Sequence, residues 1–253
     1  MLDCHHSKIV RMERGQSGIR RPDLRALLDF YGVVDPERRT ALEVLAGESR
    51  RRGWWQRYGD VIPPTYADFI SLESDAVKIR TTALAIVPGL LQTREYAHTI
   101  ITSAWRRPDE IAVVDKLVEV RMARQQRLTA TEPVELTAVL SENILRQRVG
   151  GDAVMHAQLE YLLSAADLPN VSVLVLPDDA GAHPGLHGSF VMLGFQARGE
   201  LDVVLLENLT SSLYFEEPDE IAWYDWAFES QLVAAAPQAR SIGMIRNAMK
   251  NLG

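Results

Sequence analysis

Apolar and polar positions follow regular periods over residues 64–253. Alternation with period two, or an unbroken apolar run of a few residues, indicates a β-strand, whereas apolar positions three and four apart indicate an amphipathic helix. The pattern predicts strands at residues 78–87, 134–140, 171–176, 190–195, 201–206 and 212–215. It predicts helices at residues 65–76, 94–105, 109–128, 217–235 and 241–252, and another that begins at Asp152. The predicted fold class is α+β, with a central sheet of about five strands flanked by helices.

One stretch of this pattern, AIVPGLLQTREYA at residues 85–97, combines a turn with a helix start. Pro88 and Gly89 form a dipeptide that is typical of turns, and two leucines follow it. Thr93 precedes a helical run and belongs to the residue types that cap helix N-termini by accepting a backbone hydrogen bond. The stretch therefore predicts an extended segment that passes through a tight apolar corner into a helix.

The N-terminal residues show helical periodicity only. A short helix that includes Lys8 ends at Gly15, a second helix stops at Gly32, and a third begins at Asp35. Glycine suits such helix ends because it adopts the left-handed conformation without a steric penalty. The predicted domains are a small all-helical head at residues 1–50, a linker at residues 51–63, and an α+β domain for sensing or partner binding at residues 64–253.

Two consecutive segments of the head, HHSKIVRMERGQ and RRPDLRALLDFYGV, resemble the recognition helix and trailing helices of phage-repressor-like helix-turn-helix domains. In such domains the recognition helix reads base edges, while basic residues around it contact phosphates. The resemblance implies that His5, His6, Lys8 and Arg11 lie at or near the major groove. It implies that Arg14 and Arg21 lie near phosphates. Such domains have helices ahead of the recognition helix, whereas only four residues precede His5 here, so we expect the head to be partial or truncated.

The segment VPGLLQTREYA closely resembles a signature of a large actinobacterial family of regulators. In that family a helix-turn-helix head precedes a Scr1-type, antitoxin-like domain of unknown biochemical role. The segments AGAHPGLHGSF, VVLLEN and YFEEPDEI stand where the family has similar segments. The resemblance implies an antitoxin-like transcriptional regulator that binds DNA as a homodimer. It also implies that the C-terminal domain senses a small protein or a small-molecule ligand.

The distribution of charge, like the hydrophobic periodicity, separates an N-terminal part of the chain from the remainder. Residues 1–57 carry twelve Lys or Arg against eight Asp or Glu, a net +4, and the formal total of −7 leaves −11 for the remainder. A basic head on an acidic body is typical of a nucleic-acid-binding domain joined to a sensing domain. Chance asymmetry of an ordinary solvated surface gives the same count. The lone cysteine, Cys4, excludes an internal disulfide, and no apolar run approaches the ~20 residues of a membrane helix, so we expect a cytoplasmic protein without a membrane partner.

Aromatic and histidine side chains in the C-terminal half are candidates for a ligand pocket. They lie on a predicted helix, of which one face must pack on the sheet, and in a glycine-rich loop. The candidate pocket residues are Trp223, Tyr224, Trp226, His183, His187 and Glu207. The spacing HPGLH is not the helical HExxH spacing and nothing gathers further ligands around it, so no metal site is predicted.

No motif in the chain predicts a catalytic residue or a cofactor. The sequence contains no GxSxG and no GxxxxGK[ST], and its one cysteine lies next to the N-terminus. The helix predicted at residues 109–128 has a basic edge, formed by Arg121, Arg124, Gln125 and Arg127. We interpret this edge as surface, with a groove for a ligand carboxylate as the alternative.

Three functional hypotheses therefore stay open. The first is a DNA-binding transcriptional regulator with a sensing domain. The second is a body that has been recruited as a small-molecule-binding protein or a biosynthetic enzyme after loss of the full DNA-binding head. The third is an antitoxin-like protein-interaction module without direct DNA contact.

Overall fold

The computed structural model describes residues 19, 21–48, 53–105, 111–195, 202–209 and 211–252. Contacts divide the chain into two compact units, with the division between Arg57 and Tyr58. The helix predicted to end at Gly15 lies outside the described residues.

In the first unit, the structure describes two helices, α1 (Arg21–Phe30) and α2 (Pro36–Glu48). Gly32 follows α1 with a φ of 67°, the left-handed conformation expected at the predicted helix stop. Asp35 accepts a hydrogen bond from the backbone N–H of Glu37 at 2.9 Å and so caps the predicted start of α2. Local sequence signals therefore define both sides of the turn between these helices.

Two ion pairs join α1 to α2. The Nε and Nη2 atoms of Arg25 donate to the two carboxylate oxygens of Glu43 at 2.6 and 2.9 Å. Arg39 Nη2 donates to Asp29 Oδ1 at 2.7 Å. Leu27 is buried at the start of the last turn of α1. The helix pair thus combines a small apolar contact with two charge-assisted contacts.

The second unit contains the sheet. Its strands are β1 (Lys78–Ala83), β2 (Glu135–Ser141), β3 (Val171–Leu176), β4 (Phe190–Gly194), β5 (Val203–Glu207) and β6 (Ser212–Phe215). Its helices are α3 (Pro64–Asp75), α4 (Arg94–Ala104), α5 (Ile111–Arg124), α6 (Glu142–Arg146), α7 (Asp152–Ala166), α8 (Pro218–Ala234) and α9 (Gln238–Lys250). Along the chain, 3-10 turns lie at Trp54–Tyr58, Gly89–Leu91, Gln125–Leu128 and Pro184–His187. Within the described ranges, no helix has the length and apolar character needed to cross a bilayer.

The strands form one mixed sheet in the order β3-β2-β1-β4-β5-β6. The strands β1, β2 and β3 are parallel, because helical crossovers return the chain to the same end of the sheet. The strands β4, β5 and β6 are antiparallel to their neighbours. The predicted α+β class is confirmed, and the sheet formed by the described residues has six strands where about five were expected.

Alternating side chains give the sheet two covered faces, each with its own apolar core. The helix-rich face lies against α3, α4, α7 and α9, and its core includes Ile79, Leu136, Phe69, Tyr96, Leu159 and Ile245. The opposite face lies against α8, and its core includes Phe190, Met192, Val204, Ile221 and Phe228. Burial on both faces explains why β3 reads as an almost continuous apolar run.

The first predicted strand is too long at its C-terminal end. β1 ends at Ala83, and the chain bends over residues 84–86. The Leu84 N–H donates to Ser189 Oγ at 3.0 Å instead of continuing the backbone ladder, and Ile86 is 44% exposed. The prediction of a strand to residue 87 is therefore wrong, because a side-chain hydrogen bond ends the pairing early.

Candidate functional site

A cavity of about 330 Å³ lies between the helix-rich face of the sheet and the segments that cover it. Its floor comes from the strands β1, β2, β4 and β5 and includes Ile79, Thr81, Leu136, Val191 and Leu205. Its walls come from α3, from the corner between β1 and α4, and from α5, and include Tyr66, Phe69, Glu73, Gln92, Arg121 and Arg124. A mostly apolar lining with a few fixed polar groups, in this range of volumes, is typical of small-molecule sites.

The cavity opens to solvent at the carboxyl end of β1. Ala85, Ile86, Ser189 and Glu207 line it and are also exposed, so they form its mouth. The strand β1 has a parallel neighbour on one side and an antiparallel neighbour on the other. Ligands of open α/β sheets bind beyond the carboxyl ends of parallel strands, near such changes in strand arrangement.

The inner wall is built around a buried ion pair between Glu73 and Arg124. These residues are only 3% and 6% exposed. Arg124 Nε donates to Glu73 Oε1 at 2.6 Å, and Arg124 Nη2 donates to Oε2 at 2.5 Å. Arg124 Nη1 donates to the Tyr66 hydroxyl at 2.7 Å, and the guanidinium lies 4.8 Å from the centre of the Phe69 ring. The pair is bidentate and stacked, which is the geometry that Arg provides and Lys does not.

Arg124 stays charged in this environment. Burial lowers the pKa of the Arg124 guanidinium, but the Glu73 carboxylate and the Tyr66 hydroxyl raise it by more, so the pKa lies above its ordinary value. A charge at this depth is tolerated because it is paired and hydrogen-bonded. The arrangement gives the inner wall a fixed, electrically neutral polar group.

Arg121, one turn earlier on α5, has no such acidic partner among the described residues. Its Nη1 donates to the Gln92 side-chain oxygen at 2.9 Å. Its Nε is buried and has no hydrogen-bond partner within the described ranges. Because a buried unpaired donor is costly, this guanidinium is the polar group in the cavity wall that is left without full satisfaction.

The corner between β1 and α4 is held by side chains from several helices. Thr93 accepts a hydrogen bond from the Tyr96 N–H at 3.3 Å, which confirms the predicted N-cap of α4. Gln92 Nε2 donates to the Val87 carbonyl at 2.6 Å, and the Val87 N–H donates to the Tyr96 hydroxyl at 3.2 Å. The predicted apolar corner is therefore confirmed, and it forms the roof of the cavity.

A second clamp reaches the same corner from α7. Gln158 is fully buried; its Oε1 accepts from the Thr93 N–H at 2.7 Å, and its Nε2 donates to the Leu91 carbonyl at 2.6 Å. Gln125 Nε2 adds a hydrogen bond to the Gln92 carbonyl at 2.6 Å. These contacts hold the roof in one conformation without a regular backbone ladder.

The interpretation of the basic edge of α5 as surface is wrong for Arg124, which is buried against Glu73. A signal for this burial exists in the sequence. Arg121 and Arg124 continue the spacing of the buried Val114 and Leu117, and Glu73 continues the core-facing spacing of α3. Opposite charges at core positions of two amphipathic helices indicate a buried pair.

The predicted pocket residues lie in several places. Glu207 is at the cavity mouth, whereas the other five are not among the residues that line this cavity. Tyr224 packs between Phe190 and Phe215 on the α8 side of the sheet, with ring centres 5.2 and 5.6 Å apart. Trp223 and Trp226 are exposed on α8, and their rings meet edge to face at 5.6 Å.

His183 precedes the 3-10 turn Pro184–His187, and His187 is the last residue of that turn. His183 is partly buried, and its Nδ1 has no hydrogen-bond partner in the part of the chain that the structure describes, whereas His187 is exposed. Across the described ranges, no group of three or more His, Cys, Asp or Glu side chains is placed to hold a metal ion. Of the predicted DNA contacts, Arg21 is the exposed first residue of α1, and the others lie outside the described residues: His5, His6, Lys8, Arg11 and Arg14.

A tyrosine near the cavity mouth gives a prediction for pH dependence. Burial raises the pKa of Tyr214 to about 12, and the Asp68 and Glu207 carboxylates add to the shift. An unfolded tyrosine titrates near pH ~10, so between about pH 10 and 12 unfolding releases a proton and the free energy of unfolding falls as pH rises. We expect Tyr214→Phe to lose less stability than the wild type between urea titrations at pH 9 and pH 11. Equal losses in both proteins would mean that the hydroxyl of Tyr214 is solvated.

Comparison with known protein families accounts for both parts of the chain. Residues 2–42 match a helix-turn-helix domain, and residues 66–247, which include every residue that lines the cavity, match the domain of unknown function DUF5753. No curated protein and no solved structure matches the chain. The architecture is that of a helix-turn-helix regulator, and the chain belongs to the DUF5753 family.

Proposed function

We propose that this protein is a cytoplasmic DNA-binding transcriptional regulator whose α+β domain binds a small molecule in the cavity described above. The observation that carries the proposal is that one chain contains both a segment that matches a helix-turn-helix domain and a second domain with a cavity. The match supports DNA binding, and the mostly apolar cavity with a side-chain-clamped roof supports ligand binding. The resemblance adds an antitoxin-like protein partner and an actinobacterial origin, which stay predictions.

The basic head supplies the physical basis for DNA binding. Neutralising phosphates with Lys and Arg releases counterions, so such affinity falls steeply as salt rises. The residues proposed to contact DNA are His5, His6, Lys8, Arg11, Arg14 and Arg21. The acidic remainder of the chain is unsuited to a polyanion, so this binding is assigned to the head.

Titration of the full chain against fluorescent DNA from the region upstream of its own gene tests the proposal. We expect saturable binding in low salt and a straight decline of log affinity against log salt. Arg14→Ala/Arg21→Ala should weaken binding and reduce the salt slope by about two, one for each lost phosphate contact. The control Arg240→Ala/Arg246→Ala removes the same charge from α9 and should leave both quantities unchanged. Absence of binding at low salt would overturn the DNA-binding proposal.

The helix α8 favours a protein contact in addition. Trp223 is 69% exposed, Trp226 is 56% exposed, and Val233 further along α8 is 89% exposed. Exposed aromatic clusters of this kind are enriched in protein interfaces. We assign the homodimer implied by the resemblance to this surface of α8.

Sedimentation equilibrium of the full chain tests that assignment. We expect a dimer for the wild type and a monomer for Trp223→Ser/Trp226→Ser, because the exposed apolar area that drives association is removed. Leu186→Ser is the control, since Leu186 is exposed to a similar extent, 62%, outside α8. A monomeric wild type, or a double variant of unchanged mass, would contradict the assignment.

A further inference from the structure

We propose that the cavity takes a small organic carboxylate, with the carboxylate on Arg121 and an apolar body against the floor of the sheet. This inference rests on the proposed small-molecule binding at the same site and names the chemical class of the ligand. It follows from the charges in the wall, from the hydrogen bonds of Arg121, and from the volume and lining of the cavity.

The charges that line the cavity leave one positive group uncompensated. Glu73 and Arg124 neutralise each other through a bidentate contact at 2.5–2.6 Å. Glu207 is exposed at the mouth, where water screens its charge. The partner of Arg121 is the uncharged amide of Gln92. The interior of the cavity therefore attracts a single negative charge, and a low-dielectric wall strengthens that attraction.

The hydrogen bonds of Arg121 leave part of its guanidinium available to a ligand. Across the residues that the structure describes, Arg121 donates only from Nη1, to Gln92, and its Nη2 makes no hydrogen bond. Its Nε also has no partner there, but this atom is buried and has almost no surface that a ligand could reach. The terminal nitrogens of Arg121, Nη2 above all, can therefore donate charge-assisted hydrogen bonds to a carboxylate in the cavity.

The orientation of Arg121 is fixed before any ligand arrives. Gln92 accepts from Arg121 and at the same time donates to the Val87 carbonyl at 2.6 Å. Gln125 Nε2 donates to the Gln92 carbonyl, which holds the backbone at that position. A guanidinium positioned in this way loses little side-chain entropy when it binds, which favours affinity.

The size and lining of the cavity define the rest of the ligand. A cavity of ~150 Å³ holds a molecule the size of benzene, so 330 Å³ accommodates roughly twice that bulk. The floor is largely apolar and includes Ile79, Val191 and Leu205. A phosphate dianion would require more donors than one guanidinium edge supplies. A monocarboxylate with an aromatic or aliphatic body meets all of these conditions.

Binding of matched probes to the full chain tests the inference. The probes are phenylacetate, benzoate and hexanoate, each compared with its uncharged amide and with inorganic phosphate, in chemical-shift titrations followed by NMR. We expect at least one carboxylate to bind about tenfold or more tightly than its amide, because the uncharged amide accepts a hydrogen bond from Arg121 but forms no ion pair with it. Phosphate should bind more weakly than that carboxylate.

Variants of Arg121 distinguish a direct contact with the carboxylate from an effect of the substitution on the protein's structure. Arg121→Gln should abolish the preference for carboxylate over amide, and Arg121→Lys should restore it in part through its charge. Arg148→Gln is the control, because it removes a guanidinium from the exposed pair with Asp152. All variants are first compared by thermal unfolding, so that affinity is read only from folded protein.

Three outcomes would overturn the inference: no carboxylate binds, each amide binds as tightly as its acid, or Arg121→Gln keeps the preference. If the amides bound as tightly as the acids, the result would still support a small-molecule site. It would contradict only the claim that the ligand is an anion. Loss of the proposed DNA binding appears in the DNA titration, which uses none of these probes. The DNA-binding proposal and the carboxylate inference can therefore each be contradicted without contradicting the other.

Discussion

Replacing Glu73 with alanine is expected to lower the free energy of unfolding by about 3–5 kcal/mol, because it leaves the buried guanidinium of Arg124 without its counter-charge. Both carboxylate oxygens of Glu73 accept hydrogen bonds from Arg124, and both residues are almost completely buried. The expected loss is a large fraction of the ~5–15 kcal/mol that stabilises a typical domain. Urea titration of the full chain, followed by circular dichroism, measures it.

The control for this substitution is an exposed ion pair in the same unit. Lys116 Nζ donates to Asp60 Oδ2 at 2.6 Å, and both side chains are solvated. Asp60→Ala should therefore change the free energy of unfolding far less than Glu73→Ala does, because water screens the exposed pair. A Glu73→Ala loss as small as that of Asp60→Ala would mean that water reaches the Glu73–Arg124 pair in solution.

A double substitution distinguishes pairing from packing. Glu73→Leu/Arg124→Met replaces both charges with apolar side chains and should recover much of the stability that Glu73→Ala loses. The recovery is incomplete if the Tyr66 hydroxyl, which accepts from Arg124 Nη1, loses its donor. A double variant less stable than Glu73→Ala would contradict the assignment of the loss to an unpaired charge.

Local patterns in the sequence predict the secondary structure and the corner at residues 85–97, because each depends on neighbouring residues. Alternation and short apolar runs identify the strands, although the first is predicted too long, and the Pro88–Gly89 dipeptide and Thr93 identify the turn and the helix start. Arg124 shows the limit of this reasoning. Its position on a helix follows from periodicity, whereas its burial depends on Glu73, which lies 51 residues earlier.

The cavity could not be predicted from the sequence for the same reason. Its floor forms only because β4 pairs with β1 in the antiparallel direction, where another parallel strand could have paired. No local pattern in the sequence specifies that choice. Its polar groups come from α3, the corner and α5, and each is ordinary in its own segment. Aromatic residues such as Trp223 attract notice in a sequence, but their exposure depends on which face of α8 the sheet covers.

The roof of the cavity gives the second large expected effect. Replacing Gln158 with leucine keeps a similar volume but removes both hydrogen bonds to the corner. The Thr93 N–H and the Leu91 carbonyl are then left without partners in a buried setting, at ~1–3 kcal/mol for each group, so we expect a total loss of about 2–6 kcal/mol. Urea titration measures the loss.

The matched control for Gln158→Leu lies on the same helix. Glu160→Leu makes a comparable change at an exposed position of α7 and should alter stability by less than ~0.5 kcal/mol. Because Gln158 holds the backbone that ends at Thr93, hydrogen exchange should also rise at the corner in Gln158→Leu and stay unchanged in Glu160→Leu. Equal exchange at the corner in both variants would mean that Gln92 and Tyr96 hold the roof without α7. An increase confined to Gln158→Leu would make α7 a structural support of the cavity, although no residue of that helix lines it.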